Sequence, residues 1–293
     1  MRPCLAVLCL AGALPVFGQT HLVEVRSILV AGDSQVHLVD PLRSEGEEPH
    51  LLWTWDAREV TDLPEEYRTR FFRSVDDAKP VRGGDQLLIS SSSGGVVLWD
   101  IKENKSLFHT HVPNAHSIEL LPDGLLAAAA STHPEGNKVM LFDPARGSEP
   151  IAVDDLHSAH GVVWHPGRQT LFALGYDVLR EYRVEDRTLH RRKEWKIPGV
   201  SGHDLSLTPD GKRFLLTEHT GAWQFDLATE TFSTLPGFPD AENIKSLNLA
   251  ADGQYLYTVP EESWWTYHVS LHQPTQRLAF PGMRVYKTRW YRE

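Results

Sequence analysis

The sequence predicts an all-β, six-bladed β-propeller in one domain. Two observations carry that prediction: a strand-and-turn unit that recurs at a near-constant interval, and chain ends that complement each other. The unit is plainest in "NAHSIELLPDG" (114–124), "SAHGVVWHPGR" (158–168) and "SGHDLSLTPDG" (201–211), with a weaker copy in "NIKSLNLAADG" (243–253). Each has a polar residue at a strand start, a short alternating stretch, and a turn. Two further copies are taken from "DDAKPVRGGDQ" (76–86) and "MRVYKTRWY" (283–291). With Lys79, His116, His160, His203, Lys245 and Lys287 as markers, the spacings are 37, 44, 43, 42 and 42 residues. An interval of roughly 40–45 residues is that of a four-stranded propeller blade.

The remaining strands follow in order. After each turn comes an apolar run ("QLLISSS", "LLAAAAS", "TLFALGY", "RFLLTEH", "QYLYTVP"), read as the second strand. A third strand often closes on aspartate: "GVVLWD", "KVMLFD", "AWQFD". A weaker fourth strand completes the unit. Short strands punctuated by Gly, Pro and Asp, without helical periodicity, belong to an all-β array. At the N-terminal end "SILVAGD", "QVHLVD" and "LLWTWDA" match strands two to four of a blade lacking its first strand, and "MRVYKTRWY" supplies it from the far end. Such closure protects sheet edges. Asp40, Asp100, Asp143 and Asp226 read as turn-capping residues. The stretch 57–77 interrupts the pattern and is expected to form a short helix or a flap.

Residues 1–18 read as a secretory signal peptide, with Arg2 followed by the apolar run "CLAVLCLAGALPVFG". The propeller then occupies 19–293, and the protein is expected to be exported, periplasmic or extracellular, a monomer without membrane insertion. Both cysteines, Cys4 and Cys9, lie in that segment, so the mature chain would carry no disulfide or thiol nucleophile. The formal net charge of −10 argues against nucleic acid as a partner. No Gly-rich phosphate loop, nucleophile elbow or His-Glu-x-x-His helix is present.

First strands line a propeller's channel, so His116, His160, His203, Lys245, Lys287 and Lys79 are expected to form one ring. Three imidazoles would face three ammonium groups, whose repulsion keeps the histidines neutral. Loops on the same face bring Tyr176, His219 and Trp264 toward the mouth. Convergent polar groups in a concavity are the default ligand site. The histidines, with His219, are the candidate catalytic residues. Lys79, Lys245, Lys287, Tyr176 and Trp264 are the candidate binding residues for an anionic small molecule or acidic sugar. A divalent metal (Mn, Zn or Fe) on His116, His160 and His203 is the expected cofactor if there is one.

The stretches "DDAKPV", "SSSGGVVLWD", "NAHSIELLPDG", "STHPEGN", "AHGVVW", "GHDLS", "ENIKS" and "SWWT" resemble an uncharacterised family of exported bacterial six-bladed propellers over nearly the whole mature chain. In site logic alone the chain is similar to propeller polysaccharide lyases of the oligogalacturonate-lyase kind. That likeness implies metal-assisted β-elimination on an acidic glycan, with the three histidines as ligands. That family has seven blades, and its remaining ligand and its base find no match here. A non-catalytic binding module for an anionic molecule and a protein-interaction scaffold remain alternative readings.

Overall fold

The computed structural model describes residues 26–292, so the expected signal peptide lies outside the described residues. Six four-stranded antiparallel sheets form the blades, as the repeat predicts. Blade 1 combines β1 (Ser27–Gly32), β2 (Gln35–Glu45) and β3 (Glu48–Asp56) with the C-terminal β24 (Val285–Arg292) as its innermost strand. Blade 2 is β4 (Val75–Val81), β5 (Gln86–Ser91), β6 (Gly95–Asp100) and β7 (Lys105–His111). Blade 3 is β8 (Ala115–Leu120), β9 (Leu126–Ala130), β10 (Lys138–Phe142) and β11 (Pro150–Asp155). Blade 4 is β12 (Gly161–His165), β13 (Thr170–Leu174), β14 (Val178–Glu185) and β15 (Thr188–Lys196). Blade 5 is β16 (Asp204–Leu207), β17 (Arg213–Glu218), β18 (Gly221–Asp226) and β19 (Thr231–Thr234). Blade 6 is β20 (Ser246–Leu249), β21 (Tyr255–Thr258), β22 (His268–His272) and β23 (Gln276–Ala279). Among the described residues no helix is long and apolar enough to cross a membrane.

The core is six seams rather than one centre. Second and third strands are apolar on both faces because each blade is covered on both sides, so every seam fills with side chains from two neighbours. Between blades 1 and 2, Leu29, Leu38 and Trp55 meet Leu87, Ile89 and Trp99, with the two indoles edge to face at 6.0 Å. Between blades 4 and 5, Phe172 lies 4.5 Å from Phe214. The seam between blades 5 and 6 rests on fewer fully buried side chains, among them Leu215, Ile244 and Leu247. Third-strand aspartates cap turns, as expected: Asp40 accepts the Leu42 and Arg43 amides, and Asp226 those of Ala228 and Thr229.

Closure follows the expected route. β24 pairs antiparallel with β1, setting Leu29 opposite Arg289 and Ala31 opposite Lys287. Gly32 is required there, since a Cβ would stand 2.2 Å from the Arg284 carbonyl oxygen.

The stretch 57–77 contains one π-helical turn, Tyr67–Phe71. It runs along the outer strand of blade 2, where Tyr67 meets His109 (4.8 Å) and Phe71 meets His111 (4.6 Å). It therefore covers a blade edge and not the channel mouth; only its last residues, Ser74, Val75 and Asp76, reach the central pocket. β4 begins at Val75, four residues ahead of Lys79, and this moves the blade 2 marker.

Candidate functional site

Strand pairing fixes which residues are equivalent around the axis. The first residue of each inner strand to pair regularly is Asp77, Ser117, Gly161, Asp204, Ser246 or Lys287. The residue just before it turns toward the channel. Those six are Asp76, His116, His160, His203, Lys245 and Tyr286, and all six line one pocket of about 440 Å³. In blades 1, 2 and 3 this residue is a β-bulge, at Tyr286, Asp76 and His116. A bulge re-aims a side chain out of the pleat. In blades 3 to 6 the turn is prepared two residues earlier, where Asn114, Ser158, Ser201 and Asn243 all have positive φ between 49° and 62°. Small polar residues enter that region at least cost.

Four of the six expected ring members stand together around the pocket: His116, His160, His203 and Lys245. Two are corrected. Lys79 belongs three residues further along its strand, where its Nζ donates to the Val162 carbonyl (2.6 Å) and approaches Glu119 (3.4 Å). Lys287 is one residue past the ring, and that shift turns it beneath the histidines: its Nζ lies 3.1 Å from Asp204 and 3.4 Å from the carbonyl oxygens of His116 and His160. A one-residue displacement along a strand changes the face a side chain presents. The true members, Asp76 and Tyr286, give spacings of 40, 44, 43, 42 and 41, more even than the lysine alignment. Ser74-Val75-Asp76 also repeats the small-polar, any, marker pattern of Ser158-Ala159-His160, the signal that identifies it.

Of the loop residues, Trp264 stands at the pocket rim, 62 % exposed, while Trp265 packs beneath the Arg284 guanidinium. Tyr176 rests against His157 at 5.1 Å, and His219 is an exposed loop residue held through its backbone; neither lines the pocket. Ser92, Asn114, Ser131 and Thr132 complete the wall. A larger open cleft of about 660 Å³ near Leu121 and Trp164 contains none of the ring residues.

The imidazoles are neutral, as the sequence suggests, but burial is the leading cause. It lowers His160 to about 4, and His203 to about 2 with help from Lys245. His116 is held well below the usual range by burial and then by His160. Their tautomers follow from their partners. His160 Nδ1 faces the Ser158 carbonyl at 2.9 Å, so it carries the proton and Nε2 keeps the lone pair. Lys245 Nζ lies 2.8 Å from His203 Nε2, which must accept, leaving a protonated Nδ1 with no partner. His116 stacks on His160 with centroids 4.3 Å apart. The Nδ1 of His116 is unpartnered, 3.5 Å from Asp76. Burial pushes Asp76 up to about 7 and Lys245 down to about 8.

Among the described residues no group of three or more His, Cys, Asp or Glu side chains could hold a metal ion. His116 and His160 are stacked on each other and His203 Nε2 is taken by Lys245, so the three imidazoles do not aim three lone pairs at one point. The expected Mn, Zn or Fe centre thus does not fit this geometry.

Below the ring, Arg289 bridges Asp77 (2.8 and 2.9 Å) and Asp204 (2.7 and 2.5 Å), all three buried. The guanidinium holds both carboxyls below the usual carboxylate range against the cost of burial.

Comparison with known proteins agrees with the fold and adds no activity. A crystal structure of a protein of unknown function from Bacteroides caccae is similar with a TM-score of 0.64 and 11 % identity, covering 92 % of this chain and all of that one. A chain of the mitotic checkpoint complex is similar with a TM-score of 0.58 and 16 % identity, covering 89 % of this chain and 72 % of that one. No curated protein matches the sequence. Residues 23–293 match the model of a family of unknown function, DUF6528, and the chain belongs to that family.

Proposed function

We propose that the pocket at the channel mouth binds a small carboxylate-bearing molecule. One observation carries this reading: Lys245 is buried and, among the described residues, its Nζ has the neutral His203 as its only hydrogen-bond partner and no carboxylate within ion-pair distance. A buried ammonium without a counter-charge is costly. A ligand carboxylate on Nζ would remove that cost, and a pocket of about 440 Å³ suits an amino, hydroxy or sugar acid. Trp264 offers an apolar plate at the rim for a ring. Calorimetry with a series of such acids, each against its methyl ester, tests the reading. Free acids should bind the wild type, esters should not, and Lys245→Met should weaken the acids at least tenfold. Equal binding of acid and ester would overturn it.

A second reading, catalysis on an acidic glycan fragment, draws on His160. Its Nδ1–H is fixed by the Ser158 carbonyl, which leaves Nε2 as a positioned base. It would take the proton α to a carboxylate held by Lys245, the β carbon–oxygen bond would break, and the departing alkoxide would take up a proton. Incubation with oligogalacturonates, followed by ultraviolet absorbance of the unsaturated product, decides it. No product from wild type would leave a binding module.

A further inference from the structure

The pocket contains a second unpaired charge, of opposite sign. Around the ring Lys245, Tyr286 and Asp76 come from blades 6, 1 and 2, so the ammonium and the carboxylate flank one tyrosine. Asp76 is 4 % exposed and has no Lys or Arg partner among the described residues. One of its oxygens takes the Ser92 amide and the other faces neutral His116 at 3.5 Å. The two charges do not pair with each other, since the only hydrogen bond of Lys245 Nζ is to His203.

Every other charge at or beneath the ring is matched. Lys287 faces Asp204, Arg289 bridges Asp77 and Asp204, and Lys79 faces Glu119. At the wall, Arg284 is held by Asp33. Among the described residues at and beneath the ring, the charges are thus matched except for one cation and one anion, both facing the same cavity. Buried charges without partners are tolerated where a ligand supplies the partner.

Building on the carboxylate reading above, we infer that the ligand is a zwitterion of the α-amino-acid type, its carboxylate on Lys245 and its ammonium on Asp76. The buried Tyr286 between them supplies a hydroxyl to the ligand's polar end. The ligand's side chain then points outward to the rim, where Trp264, Trp265 and Thr132 leave room for a varied group. Two opposite charges flanking one residue also exclude dicarboxylates, whose second carboxylate would meet Asp76. An ammonium within hydrogen-bond distance would, in addition, hold Asp76 ionised against the burial that raises it.

The test uses the whole mature chain. The twenty amino acids are screened singly by thermal melt. Each hit is then compared by calorimetry with its 2-hydroxy acid, its N-acetyl derivative and its methyl ester. The expected result is at least one amino acid that binds tenfold or more tightly than its hydroxy and N-acetyl counterparts. Asp76→Asn, nearly isosteric, should bring that ratio toward one while leaving hydroxy-acid binding in place, and Lys245→Met should weaken both. Equal binding of amino and hydroxy acids by wild type overturns the zwitterion inference and leaves the carboxylate reading standing. Equal binding of amino acid and methyl ester overturns the carboxylate reading. No hit among the twenty overturns the zwitterion inference, and the sugar and hydroxy acids then judge the carboxylate reading alone.

Discussion

Replacing Arg289 by methionine should damage this protein more than any single surface change. Arg289 is buried and donates to four carboxylate oxygens, two on Asp77 and two on Asp204. After the replacement Asp204 keeps Lys287 at 3.1 Å and the Leu247 amide at 2.9 Å. Asp77 keeps only the Ser117 hydroxyl, at 3.4 Å. One carboxylate is therefore stranded, and breaking a buried pair from one side costs about 3–5 kcal/mol. For a domain of this size that corresponds to a fall in Tm of roughly 6–20 °C. The sign of the pH dependence follows. A stranded Asp77 escapes its penalty by taking up a proton, so the deficit should be largest at pH 8 and shrink toward pH 5. In the wild type the depressed carboxyls of Asp77 and Asp204 stabilise the fold at any pH above the ordinary carboxylate range, and that stability is lost only as the pH falls below that range and through their depressed values. Urea titrations at the two pH values, followed by tryptophan fluorescence, measure both quantities. Asp77→Asn added to Arg289→Met should recover part of the loss. A deficit below about 2 kcal/mol, or one unchanged between pH 5 and pH 8, would refute the account of a charge network that must be matched.

Other outcomes follow from the same geometry. Binding of a carboxylate ligand should weaken as the pH rises through about 8, where Lys245 loses its proton, and calorimetry at pH 7 and pH 9 reads this directly. A ligand at a hundred times its Kd should stabilise the wild type by about 2.7 kcal/mol in a thermal melt, and Lys245→Met, weakened tenfold or more, by no more than about 1.4 kcal/mol. Trp264→Ala, at an exposed position, should change stability by no more than about 0.5 kcal/mol while weakening ligands that stack on the rim. Gly32→Ala forces a Cβ against backbone at the closure of the ring and should cost about 1–3 kcal/mol or more in chemical denaturation.

The fold was legible because the blade repeat survives in small features: the turn after the first strand, the apolar second strand, and the aspartate closing the third. Four ring members were legible because Asn114, Ser158, Ser201 and Asn243 announce them two residues ahead. The other two, Asp76 and Tyr286, are hidden by nearby lysines on the same strands. Lys79 and Lys287 matched the expected chemistry but not the register, and bulges at Asp76 and Tyr286 conceal that register from simple alternation. Pairing of charges was illegible altogether. Arg289 meets Asp77 and Asp204 across 212 and 85 residues of sequence, a proximity that only the closed ring creates.

Closure by β24 also imposes an order in time. The strand delivers Tyr286, Lys287 and Arg289 together, and it follows all the other blade strands in the chain. A nascent chain with five blades already made has Asp77 and Asp204 waiting without their guanidinium, and β1 with an open edge. The central pocket, the charge network and the last seam are thus completed by one event, the docking of β24. A chain cut before β24 would be left open at β1, with Asp77 and Asp204 unmatched by Arg289 and the pocket without Tyr286. Absence of that one strand would register as instability, so the stability of the ring reports whether its closing strand is in place.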